Sequence, residues 1–364
     1  MSHALLLLST LAFAGDVAPE PDAAWGRVIN GEEVRGDAFP SAVAIGFDAS
    51  AFSRGSRQAY QATCSASLIT TRMLLTAAHC TAEYERQGIP LEGVLEYGAA
   101  FFGLDVNSGE VDAVGFADII NHPKYGGQNN PENDIGVIIL DEDVDVKPTW
   151  FQVGEITEKQ AVGKTVTSVG YGSDSYYNGP GSGVKRRVQL VIDQVDEQFL
   201  RTFAATNPTQ GNVCSGDSGG PQYRRRKDGT LVQWGVHSNV FGGSSAATIC
   251  NAASSSTNVG TFSDWVLRHI EDEHGTTDRC TLQRSYGDRV CDLDCVDPDV
   301  DCELDVDEDG LVSDEEFERV DFDANGLVDD EEIERFRRGC SHTGGAPAGL
   351  ALLGLVGLAL RRRR

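Results

Sequence analysis

Three short stretches of the chain hold side chains that can act on one another chemically. They are TAAHC around His79, NDIGVIIL beginning at Asn133, and CSGDSGGP from Cys214 to Pro221. A serine hydroxyl is a poor nucleophile at neutral pH, so a base must take its proton, and that base needs an acid to hold its tautomer. His79, Asp134 and Ser218 supply one group of each kind. Singly, a histidine or an aspartate is more often structural or solvated. It is the conjunction of all three, in this order, that points to acyl transfer.

Groups far apart in sequence meet only if a sizeable fold carries them. The chain has 364 residues, 40% of them hydrophobic, 8% aromatic and 41 of them glycine. That is globular composition, with room for one large domain and smaller appendages. Short β-rich runs (Ala42 to Ile45, Leu68 to Leu75, Ile135 to Leu140, Thr165 to Val169, Arg187 to Ile192, Leu231 to Val236) alternate with Gly, Ser, Asn and Asp clusters. Such punctuation predicts an all-β barrel or sandwich. Phe262 to Glu271 instead has helical spacing, with Ser263 as a cap, and predicts a closing helix. The formal charge of -26 argues against a nucleic-acid partner, which would require clustered Lys and Arg.

Residues 28 to about 272, two thirds of the chain, resemble the trypsin/chymotrypsin family through TAAHC and GDSGGP. The resemblance implies two six-stranded antiparallel β-barrels of the chymotrypsin type, a C-terminal helix and serine endopeptidase activity on protein or peptide substrates. By it, His79 is general base and then acid, Asp134 orients it, and Ser218 attacks the scissile carbonyl. The backbone N–H groups of Gly216 and Ser218 would form the oxyanion hole. It further implies disulfides Cys64–Cys80 and Cys214–Cys250. VGYG at Val169 to Gly172 resembles the family's glycine-containing strand between the barrels, and Ser238 falls where a serine supports the buried acid. No cofactor is required for this catalysis. A lipase or esterase is a weaker reading: GDSGG satisfies GxSxG, but here the histidine precedes the serine.

Arg27 followed by VINGEEVRGDAFP resembles the junction where the family's zymogens are cut. Cleavage there, by an activating protease, would create an ammonium on Val28 that pairs with Asp217 and orders the oxyanion loop. Asn212, six residues before the nucleophile, stands at the floor of the family's specificity pocket, where an Asp would select Arg or Lys. With Asn212, Ser238 and Val240 at that pocket, neutral residues before the scissile bond are expected.

The remaining segments differ in composition. Residues 1–14 read as a Sec signal peptide, although its start lacks Lys and Arg; 15–27 read as an activation propeptide and 28–274 as the protease domain. Residues 275–303 form a cysteine-rich connector, where Cys280, Cys291, Cys295 and Cys302 are expected to make two disulfides, zinc being the alternative. Residues 304–338 carry most of the acid: from Asp292 to Glu334 there are roughly twenty Asp and Glu against one Arg. Asp305, Asp307, Asp309, Leu311 and Glu316 have the spacing of an EF-hand calcium loop, and Asp321, Asp323, Asn325, Leu327 and Glu332 repeat it. Their starts are sixteen residues apart, which implies a compressed, dockerin-like or thrombospondin-type arrangement binding Ca²⁺. Residues 339–364 read as a hydrophobic tail helix ending in four arginines. This tail resembles myxobacterial C-terminal sorting signals, with the GlyGly type or a simple membrane anchor as alternatives, and Cys340 would be the site handled by a sorting protease. The expected location is the cell envelope or surface, with release possible. The rival reading is a calcium-binding surface or adhesion protein that uses an inactive protease-like domain as scaffold.

Overall fold

The computed structural model describes residues 31–285 except 49–59, 87, 128, 174–181, 205–210, 228, 245–248 and 284, and beyond these only Cys295 and Ser313. The signal peptide, Arg27 and Val28, Cys291 and Cys302, the ten calcium-loop residues and Cys340 lie outside the described residues.

Fourteen strands are described: β1 (Glu32–Glu33), β2 (Ala42–Asp48), β3 (Tyr60–Leu68), β4 (Met73–Thr76), β5 (Gly98–Phe102), β6 (Asp112–Asn121), β7 (Gly136–Leu140), β8 (Thr165–Gly170), β9 (Arg186–Val191), β10 (Gln194–Val195), β11 (Phe199–Thr202), β12 (Pro221–Arg225), β13 (Leu231–Phe241) and β14 (Ala253–Asn258). Helices are few: α1 (His79–Arg86), α2 (Leu91–Tyr97), α3 (Glu158–Ala161), α4 (Val259–His274) and α5 (Arg279–Gln283).

The first half is a closed antiparallel barrel in the order β2-β3-β4-β7-β6-β5. Two of its strands read as apolar runs because both faces are covered: all five residues of β7 (GVIIL) and all four of β4 (MLLT) are buried. Leu68, Leu74, Leu75, Ile135 and Ile138 are fully inside, each worth about 1.5–3 kcal/mol on burial. The predicted run Leu68 to Leu75 is in fact a hairpin. The Thr70 hydroxyl accepts from the N–H groups of Arg72 and Met73, and this local bonding turns the chain between β3 and β4.

The second half is an eight-stranded sheet in the order β1-β9-β8-β12-β13-β14-β11-β10. The fold is of the chymotrypsin β-barrel kind: the stretch that continues β9 after two residues, β10, pairs with β11 at the other end of the order, and the Asp193 N–H donates to the Arg201 carbonyl. Its six inner strands are flanked by two-residue edge strands, each paired on one side only, and β1 is held to β9 by the registers Glu32↔Arg187 and Glu33↔Arg186. Along β9, Arg186, Val188 and Leu190 are buried while Arg187 and Gln189 are exposed, the period of two expected for a sheet facing one core.

The closing helix α4 begins earlier than Ser263, at Val259, and Ser263 lies within it rather than capping it. Its hydroxyl bonds to the Gly260 carbonyl and accepts from the Gly154 N–H. Packing moves the start forward: Val259 is fully buried, and a Cβ on Gly260 would lie 2.3 Å from the Gly154 carbonyl. Gly275, in the left-handed region, ends the helix. The first part of the connector then packs back onto the barrel. Leu282 joins its core cluster, and the Gln283 side chain donates to the Pro148 carbonyl.

Candidate active site

His79 opens α1 directly after β4 and the buried pair Ala77 and Ala78. Its main-chain N–H donates to Asp134 Oδ1 at 2.9 Å, and its Nδ1 lies 2.8 Å from Asp134 Oδ2. A carboxylate only accepts, so Nδ1 carries the proton and Nε2 is left as a base. Asp134 is 1% exposed, its Oδ2 also accepting from Ser238 Oγ at 2.6 Å and its carbonyl from Thr257 Oγ1 at 2.7 Å. Asn133, with φ of 57°, makes the left-handed turn that aims Asp134 inward as the chain enters β7, and the Gln198 side chain accepts its N–H.

Ser218 sits in the tight loop between Cys214 and β12. Along this loop the peptide groups alternate between anchored and open. The N–H of Asp217 donates to the Cys214 carbonyl and that of Gly219 to the His237 carbonyl, whereas the N–H groups of Gly216 and Ser218 have no acceptor among the described residues. Two unused donors thus flank Asp217, the pattern an oxyanion hole requires. Gly216 (φ 92°) and Gly219 (φ 79°) are left-handed, and a Cβ on Gly219 would lie 2.2 Å from Thr76 Oγ1.

Asp217 itself faces inward. Its carboxylate accepts from the Gly172 N–H and the Cys214 N–H, both at 2.8 Å. Burial pushes its pKa up to about 6, against the downward pull of those two N–H groups and of Arg186. Gly170 and Gly172 are glycine because a Cβ on either would lie 2.2 Å and 2.6 Å from this carboxylate. The disulfides Cys64–Cys80 and Cys214–Cys250 are formed, one beside His79 and one beside the nucleophile loop. In the connector Cys280 pairs with Cys295.

His79, Asp134, Ser218, Ser238 and Val240 line a single cavity of about 330 Å³, together with Val213, Cys214, Ser215, His237 and Asn239. Asn212 is placed behind this wall. It is fully buried, its Nδ2 donating to the Cys250 carbonyl at 2.9 Å and its Oδ1 accepting from Ser254 Oγ at 2.7 Å. Both ends of the amide are therefore used within the protein.

Sequence reasoning missed the strand behind the cavity. β14, ASSSTN, is buried at every position, and each polar side chain has a designated partner. Ser254 bonds Asn212, Ser255 donates to Asn239, Ser256 meets His237 Nδ1 at 3.0 Å, Thr257 supports Asp134, and Asn258 donates to the Ile156 and Asp196 carbonyls. A run of serines carries no hydrophobic period, so nothing in the pattern marked it as core. Ser65 on β3 was also missed; its N–H donates to the Ser218 carbonyl and its hydroxyl to the Gly216 carbonyl.

This arrangement of strands and side chains defines a serine endopeptidase of the chymotrypsin-like fold. The Trypsin family profile matches residues 28–266, and the chain belongs to that family. It is 26% identical over 279 residues to chymotrypsin-C of Rattus norvegicus, covering 73% of this chain and 96% of that protein. It is 24% identical over 260 residues to the proclotting enzyme of Tachypleus tridentatus, covering 67% and 66%. A solved structure titled as the atomic-resolution structure of HBP superposes with a TM-score of 0.51 at 20% identity, over 67% of this chain and 96% of that one, a likeness of fold.

Proposed function

We propose that the chain hydrolyses peptide bonds through an acyl-enzyme on Ser218. The observation that carries this is the bonded array Ser238–Asp134–His79, which shares one cavity with Ser218. As Ser218 Oγ bonds to the scissile carbonyl carbon, its proton passes to His79 Nε2, and the carbonyl electrons move onto an oxygen facing the Gly216 and Ser218 N–H groups. Collapse expels the amine, which takes that proton. Water then repeats the sequence on the ester, returning the proton to Ser218 and releasing the acid. Asp134 keeps its charge and stabilises the imidazolium formed at each stage.

The preference is for neutral residues before the scissile bond. Supporting this, the one carboxylate among the described lining residues is Asp134, already held by His79 and Ser238, and the apolar Val240 is part of the lining while Asn212 is spent on Ser254 and Cys250. Activation follows cleavage after Arg27, when the Val28 ammonium meets the buried Asp217 carboxylate. An enzyme that rejects Arg would need a separate activating protease. Export through a Sec signal is supported by the apolar start of the chain, calcium by the spacing of the acidic loops, and processing at Cys340 by a sorting protease by the resemblance of the tail, and catalysis uses no cofactor.

The test is covalent labelling with a fluorophosphonate. Protein cleaved after Arg27 labels at Ser218, Ser218→Ala does not label, and uncleaved Arg27→Gln labels poorly. Absence of labelling in the cleaved protein would leave an inert scaffold and overturn the proposal.

A further inference from the structure

Within the site proposed above, we propose that Ser65 is a positioning residue that sets the oxyanion hole from across the barrel wall. Four successive peptide groups make up the nucleophile loop. The group joining 215 to 216 has its carbonyl held by the Ser173 N–H at 2.8 Å and its own N–H open. The group joining 216 to 217 has its carbonyl held by Ser65 Oγ at 2.9 Å and its N–H on the Cys214 carbonyl. The group joining 217 to 218 has its carbonyl held by the Gly220 N–H and its own N–H open. The group joining 218 to 219 has its carbonyl held by the Ser65 N–H at 2.7 Å and its N–H on the His237 carbonyl.

Ser65 therefore grips the second and fourth groups, and the open donors belong to the first and third. A peptide group is planar, so its N–H direction is set by the rotations on either side of it. Fixing the second and fourth planes fixes the third between them and one side of the first, whose carbonyl the Ser173 N–H holds from the other side. The need for such a clamp is greatest at Gly216, which has no Cβ to restrict rotation.

Ser65 is itself held. It is 1% exposed, its hydroxyl oxygen accepts from the Tyr171 N–H at 3.0 Å, and its carbonyl accepts from Thr76 Oγ1 at 2.9 Å. Because Tyr171 occupies the oxygen as a donor, the hydroxyl proton is directed to Gly216. Removing Oγ leaves the Gly216 carbonyl and the Tyr171 N–H without this partner and lets the 216–217 group turn. The donors are then no longer preorganised for a charge that exists only in the transition state.

The experiment compares Ser65→Ala with the parent and with Ser67→Ala, all cleaved after Arg27. Ser67 is a buried serine two residues along β3, bonded to the Leu75 carbonyl and to Gln233 and not to the loop. Ser65→Ala is expected to lower kcat about tenfold to a hundredfold with KM near the parent value, below the full loss from deleting a direct donor. Its affinity for a peptide boronate, which forms a tetrahedral adduct, should fall in parallel, and affinity for a cleaved-product peptide should hold. Ser67→Ala should lose stability but keep kcat per folded molecule. Unchanged kcat in Ser65→Ala, or equal kcat losses in both variants, would overturn the assignment to Ser65 while the Ser218 reading stands. A parent that fails to label with fluorophosphonate would overturn both.

Discussion

Asp134 is flanked by two strands made of opposite materials. β7, which follows it, is GVIIL; β14, which supports it from behind, is ASSSTN; and every residue of both is buried. The first is stabilised by burial, which is proportional to area and indifferent to direction. The second is stabilised by hydrogen bonds, each of which fixes a distance and an angle, and a buried polar group left unpaired is costly. Apolar strands thus give the enzyme its cohesion, whereas the serine strand holds Asp134, His237, Asn239 and Asn212 in fixed positions around the cavity.

If this division is right, damage to each strand should differ in kind. The largest effect is expected from Ile138→Ala in β7, which should cost about 2–5 kcal/mol of stability by denaturant unfolding. Kcat per folded molecule should be unchanged; a selective loss of kcat would erase the contrast. Ser254→Ala in β14 should cost about 1–3 kcal/mol, because Asn212 Oδ1 loses its buried donor. A double-mutant cycle with Asn212→Ala should show strong non-additivity, and simple additivity would mean the network is not one unit.

The smallest effect per step is a pH dependence. Burial lowers the pKa of His237, which bonds Ser256, to about 3. The unfolded chain takes up a proton near 6.5 that the folded one refuses, so this residue's contribution is intact above 6.5 and declines as pH falls towards 3, at most about 1.4 kcal/mol per pH unit. Asp217 has the opposite sign: with its pKa raised to about 6, its contribution declines as pH rises from about 4 to 6. The difference in unfolding free energy between a Ser218→Ala parent and the same protein with His237→Gln cancels Asp217 and should rise with pH between 3 and 6.5. A flat difference would show that His237 is protonated inside the fold.

The same contrast explains what could be read in advance. The catalytic histidine, aspartate and serine were legible because reactive side chains come in few types, and TAAHC with GDSGGP is a rare conjunction. The apolar strands were legible through their composition, and the helix through its period, though Ser263 was misread as a cap because only packing at Val259 and Gly260 starts α4 earlier. The position of Asn212 was not legible: six residues before the nucleophile it read as a pocket floor, yet its amide is folded away against Cys250 and Ser254.

By itself, then, the sequence determined which atoms can react and the order in which the chain presents them, since chemical type is a property of each residue alone. Only the tertiary structure decided that Ser65, 151 residues before Gly216 in the chain, grips the loop of Ser218, and that a run of serines forms a core strand. The physical reason is that a hydrogen bond depends on where two groups from distant parts of the chain come to lie, and no local pattern records that.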